Sequence, residues 1–390
     1  MTNDTLQRPS FSQQISQRLR DEIFAQYHPG QQLPSIAAIA KRFGVSSPSV
    51  RESLSVLEAE GLIERRTGSG TYVGDLTKGR HVGVLVEEDI SDPQTSYFYR
   101  RAPQQVVRFL LENHTAARLY AGRLRPRDAV HRGLTCLEFL EAIERHRLSG
   151  VVAFTPDQTF SQWYGALEKQ RVPVVGPSEK CMHRVIWDST ALVRMGVDYL
   201  LGHGRRRIAL MEYHWPADRQ VRFVENFRAM LGAAGVAVNE RWIRHSLIPC
   251  APEAGWEEFR AIWAEGREKP DGLLICNDNL FPGAVMAILQ LGIRVPGNLL
   301  VVTHFNQGSG MVCPFPVVKL EFDPDGYART AGATLLKLMR HEPVPEAPVL
   351  LPHELLEAGA DGPRERGWLK AENCQAVNVE LVCGNAGACG

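Results

Sequence analysis

Two short stretches near the N-terminus carry side chains suited to gripping a polyanion. In Ser46-Ser47-Pro48-Ser49-Val50-Arg51, short hydroxyls and a guanidinium crowd the start of a helix. Free backbone N–H groups and the positive end of the helix dipole favour phosphate there. In Arg65-Arg66-Thr67-Gly68-Ser69-Gly70, two guanidiniums precede a turn whose glycines let backbone approach a sugar–phosphate chain. Ser35 adds one more hydroxyl at the start of an earlier helix. The chemistry on offer is recognition, with Ser35, Ser46, Ser47, Ser49, Arg51, Arg65, Arg66, Thr67, Gly68 and Ser69 as candidate DNA contacts.

Three helices and a hairpin must hold these groups in place. Ile15, Leu19 and Ile23 recur at spacings of four, which predicts an amphipathic helix over Phe11–Tyr27. Ser35 caps a short helix with its apolar stripe at Ile36, Ile39, Ala40 and Phe43, and Gly44 ends it. The next helix starts at Ser46 or Ser47, tolerates Pro48 in its first turn and points Val50, Leu54 and Leu57 inward. Residues 62–66 and 71–73 then read as two strands around Gly68-Ser69-Gly70. The sum is a winged helix-turn-helix whose second helix fits the DNA major groove. The competing reading is a plain helical hairpin with a β-hairpin, used for protein contacts.

The strings PGQQLPS, FGVS and VRESLSVLEAEGLIERRTGSGTYV resemble the N-terminal domain of the GntR family of bacterial transcription regulators, across residues 10–74. The resemblance implies that the chain binds double-stranded operator DNA as a homodimer. Members of that family commonly carry arginine where this chain has Ala37 and Ser47, while Arg51 keeps the family's pattern.

Residues 75–80 read as a linker. From His81 onward, apolar strand runs alternate with helices (HVGVLV, ARLYAG, GVVAF, VPVVG, RVIW, RRIALME, GLLICN, NLLVVTHF, VVKLEF). That alternation predicts parallel sheets covered on both faces. The strands are too many for one comfortable sheet, so two lobes with a ligand cleft between them are expected. The fold class is therefore an α/β two-lobed, periplasmic-binding-protein-like domain preceded by a small winged helix-turn-helix domain. Residues 187–211, 269–302, 304–307 and 315–339 resemble the effector domain of the LacI family, a likeness that spans residues 81–355. It implies three chain crossings between the lobes, placed near Arg184, Gln307 and Lys319.

By the same likeness, Asp278 corresponds to a sugar-hydroxyl acceptor, and Asn277, Asn306 and Trp187 are further candidates to face the effector. Tyr97, Phe98 and Trp187 offer aromatic faces for stacking. Two of these have local alternatives: Asp278 as the cap of the following helix, and Trp187 as a core residue. Family members place an arginine where this chain has Phe223 and a glycine where it has Asn226. Arg222 stands one position off that register, a rotation of about 100° on a helix. The implied function is a transcription regulator, of repressor type, controlled by a small-molecule effector such as a sugar. The alternative is a small-molecule-binding module with vestigial DNA binding.

The rest of the composition excludes more than it assigns. Of 390 residues, 44% are apolar and 23% charged with zero formal net charge, so attraction to DNA must come from local clusters such as Lys41, Arg42, Arg51, Arg65 and Arg66. The eight cysteines form no C-x-x-C pair or metal spacing: Cys136, Cys181, Cys250, Cys276 and Cys313 lie in apolar settings, and Cys374, Cys383 and Cys389 in a Gly/Ala/Asn-rich tail. That tail, residues 356–390, is expected to be disordered. There is no Walker A loop, G-x-S-x-G or H-E-x-x-H string, so no enzymatic activity, metal or cofactor is expected. No apolar run is long enough for a bilayer and no leader opens the chain, which points to the cytoplasm and away from a membrane.

Overall fold

The computed structural model describes residues 11–76, 79–124, 136–155, 157–213, 217–247 and 251–357. Residues 358–390, which include most of the predicted tail, and Cys250 lie outside the described residues.

The first unit contains α1 (Phe11–Gln26), α2 (Ile36–Phe43), α3 (Ser47–Ala59), β1 (Ile63–Arg66) and β2 (Gly70–Val73). Each short helix is started by a side chain. Ser35 Oγ accepts from the Ala38 N–H at 3.2 Å, and Ser46 Oγ from the Ser49 N–H at 3.4 Å. Gly44 turns the chain between them at φ +68°, a left-handed conformation that penalises any residue with a Cβ. Ile15, Leu19, Ile23, Val50, Leu54 and Leu57 meet in one core, which the inward stripe of each helix had implied. A nearly buried ion pair, Arg20–Glu60 at 2.8 Å, ties α1 to the end of α3. β1 and β2 pair antiparallel, Ile63 opposite Val73 and Arg66 opposite Gly70, so the glycine-tipped turn projects outward.

The first lobe begins with β3 (His81–Glu88), α4 (Tyr97–Glu112), β4 (Ala117–Leu124), α5 (Leu137–Glu144), β5 (Leu148–Phe154), α6 (Asp157–Lys169), β6 (Val174–Gly176) and β7 (His183–Trp187). The second holds α7 (Ser189–Gly202), β8 (Ile208–Tyr213), α8 (Ala217–Ala233), β9 (Ile243–Leu247), α9 (Pro252–Ala264), β10 (Gly272–Ile275), α10 (Phe281–Gln290), β11 (Leu300–Asn306) and β12 (Val318–Phe322). Then α11 (Pro324–Met339) and β13 (Val349–Leu351) return to the first lobe, and β14 (Glu354–Leu356) to the second. The two sheets have orders β13-β7-β6-β5-β3-β4 and β14-β12-β11-β10-β8-β9. Within them only β12–β14 is antiparallel. Val151, Val152, Leu273 and Leu274 are fully buried, as strands covered on both faces require.

The crossings differ from the expected set. They fall at Trp187–Asp188, at Phe322–Asp323 and at Pro352–His353. None lies at Gln307, because β11 and β12 are parallel neighbours in one sheet, paired from Val302↔Val318 to Asn306↔Phe322. The third crossing was missed since β13 and β14 are only three residues each, too short to show a period. The crossings run side by side: the Asp188 N–H bonds the Leu351 carbonyl at 2.9 Å, and the Phe322 and His353 rings lie 5.3 Å apart.

Candidate nucleic-acid interface and interlobe cleft

Of the predicted DNA-contacting residues, all but Ser49 are exposed on the winged unit. Ser46, Ser47 and Arg51 are exposed on the first turns of α3, and Arg65, Arg66, Thr67, Gly68 and Ser69 are exposed along the wing. Their local partners divide them. Ser46 Oγ and Ser49 Oγ are hydrogen-bonded at 2.9 Å, so both are engaged at the helix start, and Ser35 likewise serves as a cap. Arg65 Nη2 donates to the Arg51 carbonyl and to Ser55 Oγ, each at 3.0 Å, and its Nε lies 3.3 Å from Glu58. Arg65 thus braces the wing against α3. Arg66 lies over the Tyr72 ring at 4.5 Å, and its Nη2 is 3.6 Å from Glu64 on the exposed side of the wing. The Arg51 guanidinium is exposed and holds no side-chain partner among the described residues.

This unit also rests on the first lobe. His146, at φ +54° just after α5, stacks on Phe24 of α1 with ring centroids 4.3 Å apart and planes 7° from parallel. Its Nε2 donates to Asp21 at 2.9 Å. Gln17 Nε2 donates to the Glu144 carbonyl at 2.9 Å, and Arg80 lies over Phe24 while bonding the Leu148 carbonyl. Burial holds His146 below the ordinary histidine range although Asp21 pulls the other way. The contact is therefore a neutral ring's hydrogen bond, with little ion-pair character.

Between the lobes, the side chains at the ends of β10 and β11 form a buried polar chain. Asp278 is 6% exposed; its Oδ2 accepts from Asn306 Nδ2 at 2.8 Å, and its Oδ1 accepts from Ser96 Oγ at 3.3 Å. Ser96 is the N-cap of α4, so that second bond spans the lobes. Asn279 Nδ2 spans them too, donating to the Gln94 carbonyl at 2.8 Å. The alternative that Asp278 caps the next helix is excluded: the N-cap of α10 is Leu280, with no side-chain cap bond. Asn277 shapes the turn, its Oδ1 accepting from the Asn279 N–H at 2.9 Å.

The aromatic candidates part company. Phe98 is 5% exposed and packs edge-on against Trp187, Phe322 and Tyr327. It is a core residue, so the expectation of a stacking face there is corrected: the ring is used up by its neighbours. Tyr97 and Trp187 are half-buried. The side chain of Arg222 lies outside the described residues. Phe223 and Asn226 line a cavity of about 210 Å³ beside Trp187, together with Arg184, Glu179 and Asp188.

Sequence reasoning missed Ser96, His304, His353 and Arg184. His304 and Asn306 share a strand face by the period of two, which was the available signal. His304 and His353 lie 5.3 Å apart, ring to ring, at the third crossing. Burial pushes both below the ordinary histidine range, and burial together with the neighbouring His304 takes His353 to about 2. Both rings are neutral donors or acceptors, and His304 Nδ1 and both His353 nitrogens are buried without partners.

The described residues thus combine a small winged helix-turn-helix unit with a two-lobed α/β domain of parallel sheets. Residues 11–73 match the family of bacterial regulatory proteins named gntR, and residues 197–358 match the periplasmic binding protein-like domain. By these matches, a region similar to the gntR helix-turn-helix precedes one similar to the periplasmic binding protein-like domain. Over 174 residues it is 21% identical to the HTH-type transcriptional repressor PurR of Vibrio vulnificus, covering 43% of this chain and 51% of that repressor. The chain thus spans about half the length of the curated repressors it matches there. Among solved structures, a LacI-family regulatory protein from Chloroflexus aggregans superposes with a TM-score of 0.59 at 19% identity, covering 72% of this chain and 98% of that one. A transcriptional regulator CelR–cellobiose complex gives 0.60 at 17% identity, with 84% and 100% covered. Among the described residues no helix is long and apolar enough to cross a membrane.

Proposed function

We propose that this chain is a DNA-binding transcription regulator of the repressor type, whose grip on operator DNA is set by a small molecule held between the two lobes. The observation that carries the reading is the exposed start of α3, with Arg51, beside an exposed wing tip, on a unit whose own core is complete. A surface of hydroxyls, guanidinium and free-running backbone next to a groove-sized helix suits duplex DNA. The reader acts in a homodimer, since one small unit of a chain with no net charge gives weak, salt-sensitive binding and two half-sites multiply it.

The regulatory half of the reading rests on the cross-lobe bonds of Asp278 and Asn279. A ligand that replaces those bonds changes the lobes' relative angle, and the His146 contact carries the change to α1. Coupling of this kind is typically about 1–3 kcal/mol. The similar CelR structure holds cellobiose, which supports a sugar-like effector.

The second reading, a ligand-binding module with vestigial DNA contact, draws support from the engagement of Arg65 with α3 and from Ala37 at an exposed position. A gel-shift at low ionic strength with duplex fragments from the protein's own locus decides between them. A discrete, salt-sensitive shift is the expected result, and indifference to every fragment leaves only the module.

A further inference from the structure

The helices of the two lobes end alike in backbone and unlike in residue type. Just past α7, α8, α9 and α10 of the second lobe stand Gly204, Gly235, Gly266 and Gly292, at φ +58° to +76°. At the same place past α4, α5, α6 and α11, which pack on the first lobe's sheet, stand His114, His146, Arg171 and His341, at φ +54° to +57°. Among the described residues these are the non-glycine positions with positive φ. The turns themselves match: the Val172 and Glu342 N–H groups reach back to the Leu167 and Lys337 carbonyls, as Val236 does to Leu231 in the second lobe. A Cβ is penalised in this conformation and glycine is not, so basic and imidazole side chains kept here imply a use for them.

Their placement shows where that use lies. The first lobe's sheet is parallel throughout, so its helix ends line one edge, the edge at which its strands begin. The chain from the winged unit enters β3 on that edge, and His146 already seats α1 there. His114, Arg171 and His341 are exposed, and Lys169 and Lys337 stand exposed in the last turns of α6 and α11. Arg118 and Arg147 are half-buried on the same edge. None of these lysines and arginines is in an ion pair among the described residues. The carboxylates nearby are mostly engaged: Glu112 with Arg108 at 2.9 Å, Glu141 with Arg145 at 2.6 Å, and Glu342 at 3.9 Å from Arg340. Glu144 and Glu168 remain, so the edge is positive on a chain whose formal net charge is zero.

We infer that this edge of the first lobe is a second DNA-contacting surface, which holds phosphates of the duplex flanking the stretch read by α3 and the wing. The inference rests on the proposed function and extends it. The seating of α1 keeps the reader beside the edge, and a held duplex continues past the reader with one negative charge per about 1.7 Å of axis. Lysine and arginine meet phosphate as charges, and an imidazole N–H meets it as a donor. Such contacts carry no base information, so they add affinity and salt dependence without changing which site is read.

The test uses the full chain in gel-shift titrations with a nested series of duplexes from the protein's own locus, shortened from both ends by about half a helical turn (~5 base pairs) at a time. Wild-type affinity is expected to fall as the flanks are removed, before the stretch read by α3 is reached. Two double variants remove cations: Lys169→Ala with Arg171→Gly, and Lys337→Ala with His341→Gly. Glycine suits both left-handed turns, so Tm is expected not to fall. Each pair is expected to weaken binding of the longest duplex about threefold to tenfold and to leave the shortest binding duplex unaffected. The first pair should lower the slope of log affinity against log salt by about two. Arg171→Lys keeps the charge and is expected to retain most of the flank dependence. The inference is overturned if both pairs bind every length as the wild type does, and the reader assignment then stands. Equal loss at every length also overturns it, because the lesion then lies in the reader. Flank dependence kept with a loss of self-association in sedimentation would assign the edge to a protein partner instead. Binding to no duplex of any length would remove the proposed function and this surface with it.

Discussion

Arg51 and Glu60 illustrate how differently two charged side chains on the same helix region behave. Arg51 is exposed with no side-chain partner among the described residues, so nothing in the fold depends on it. Arg51→Ala is expected to weaken operator binding by about 1–3 kcal/mol with an unchanged melting temperature, measured by gel-shift and thermal denaturation. Glu60 faces Arg20, whose side chain is 5% exposed, in a bidentate pair. Glu60→Ala strands a buried guanidinium and is expected to cost about 3–5 kcal/mol of the winged unit's stability, read from denaturant unfolding. If the two variants behave alike, the division of this face into binding and bracing groups is wrong.

At the scale of elements, two contacts fix how helices meet. On α10, a Cβ at Gly283 would fall 1.6 Å from the Pro252 carbonyl oxygen of α9, so the helices cross at backbone distance. Gly283→Ala must push them apart, at a cost of about 3 kcal/mol or more in chemical denaturation. The other contact is the seating of α1 on the loop after α5 through His146, Phe24 and Asp21. Asp21 is more than half exposed, so the polar part is screened, and the stacked rings carry most of the contact. His146→Ala is expected to leave lobe stability within about 1 kcal/mol while speeding proteolysis between residues 74 and 80, because it frees the reader without opening a core. It should also reduce the effect of ligand on operator affinity. An intact ligand response with a released reader would show that coupling takes another route.

For the molecule as a whole, the histidines at the lobe junction set the acid limb of stability. His353 titrates near 2 when folded and near the ordinary histidine value when unfolded; His304 is shifted the same way. As pH falls below about 6.5 the unfolded chain takes protons that the folded one refuses, so stability falls. Each such histidine contributes up to about 1.4 kcal/mol per pH unit. Glu88 opposes this: burial and Glu87 raise it to about 7, so its contribution is present at low pH and is lost as pH rises from about 4.5 to 7. His353→Phe is expected to flatten the fall between pH 6.5 and 4 in pH-dependent thermal melts. An unchanged acid limb would mean that the ring is not neutral in the fold.

The amino-acid sequence by itself determined what short-range chemistry controls. Ser35 and Ser46 were legible as helix starts, Gly44 as a turn, the stripes of α1 and α3 as core, and the runs from HVGVLV to VVKLEF as strands. Each follows from neighbours three or four residues apart or from an alternation of two. The tertiary structure alone decided what depends on approach of distant segments: that Phe98 is core while Trp187 borders a cavity, that Ser96 meets Asp278 across 182 positions, and that His146 meets Asp21 across 125. It also placed the crossings, because β13 and β14 gain their structure only from β7 and β12. A side chain's type is written locally, but its partner is set by how the sheets and helices stack, and no period in the sequence encodes that.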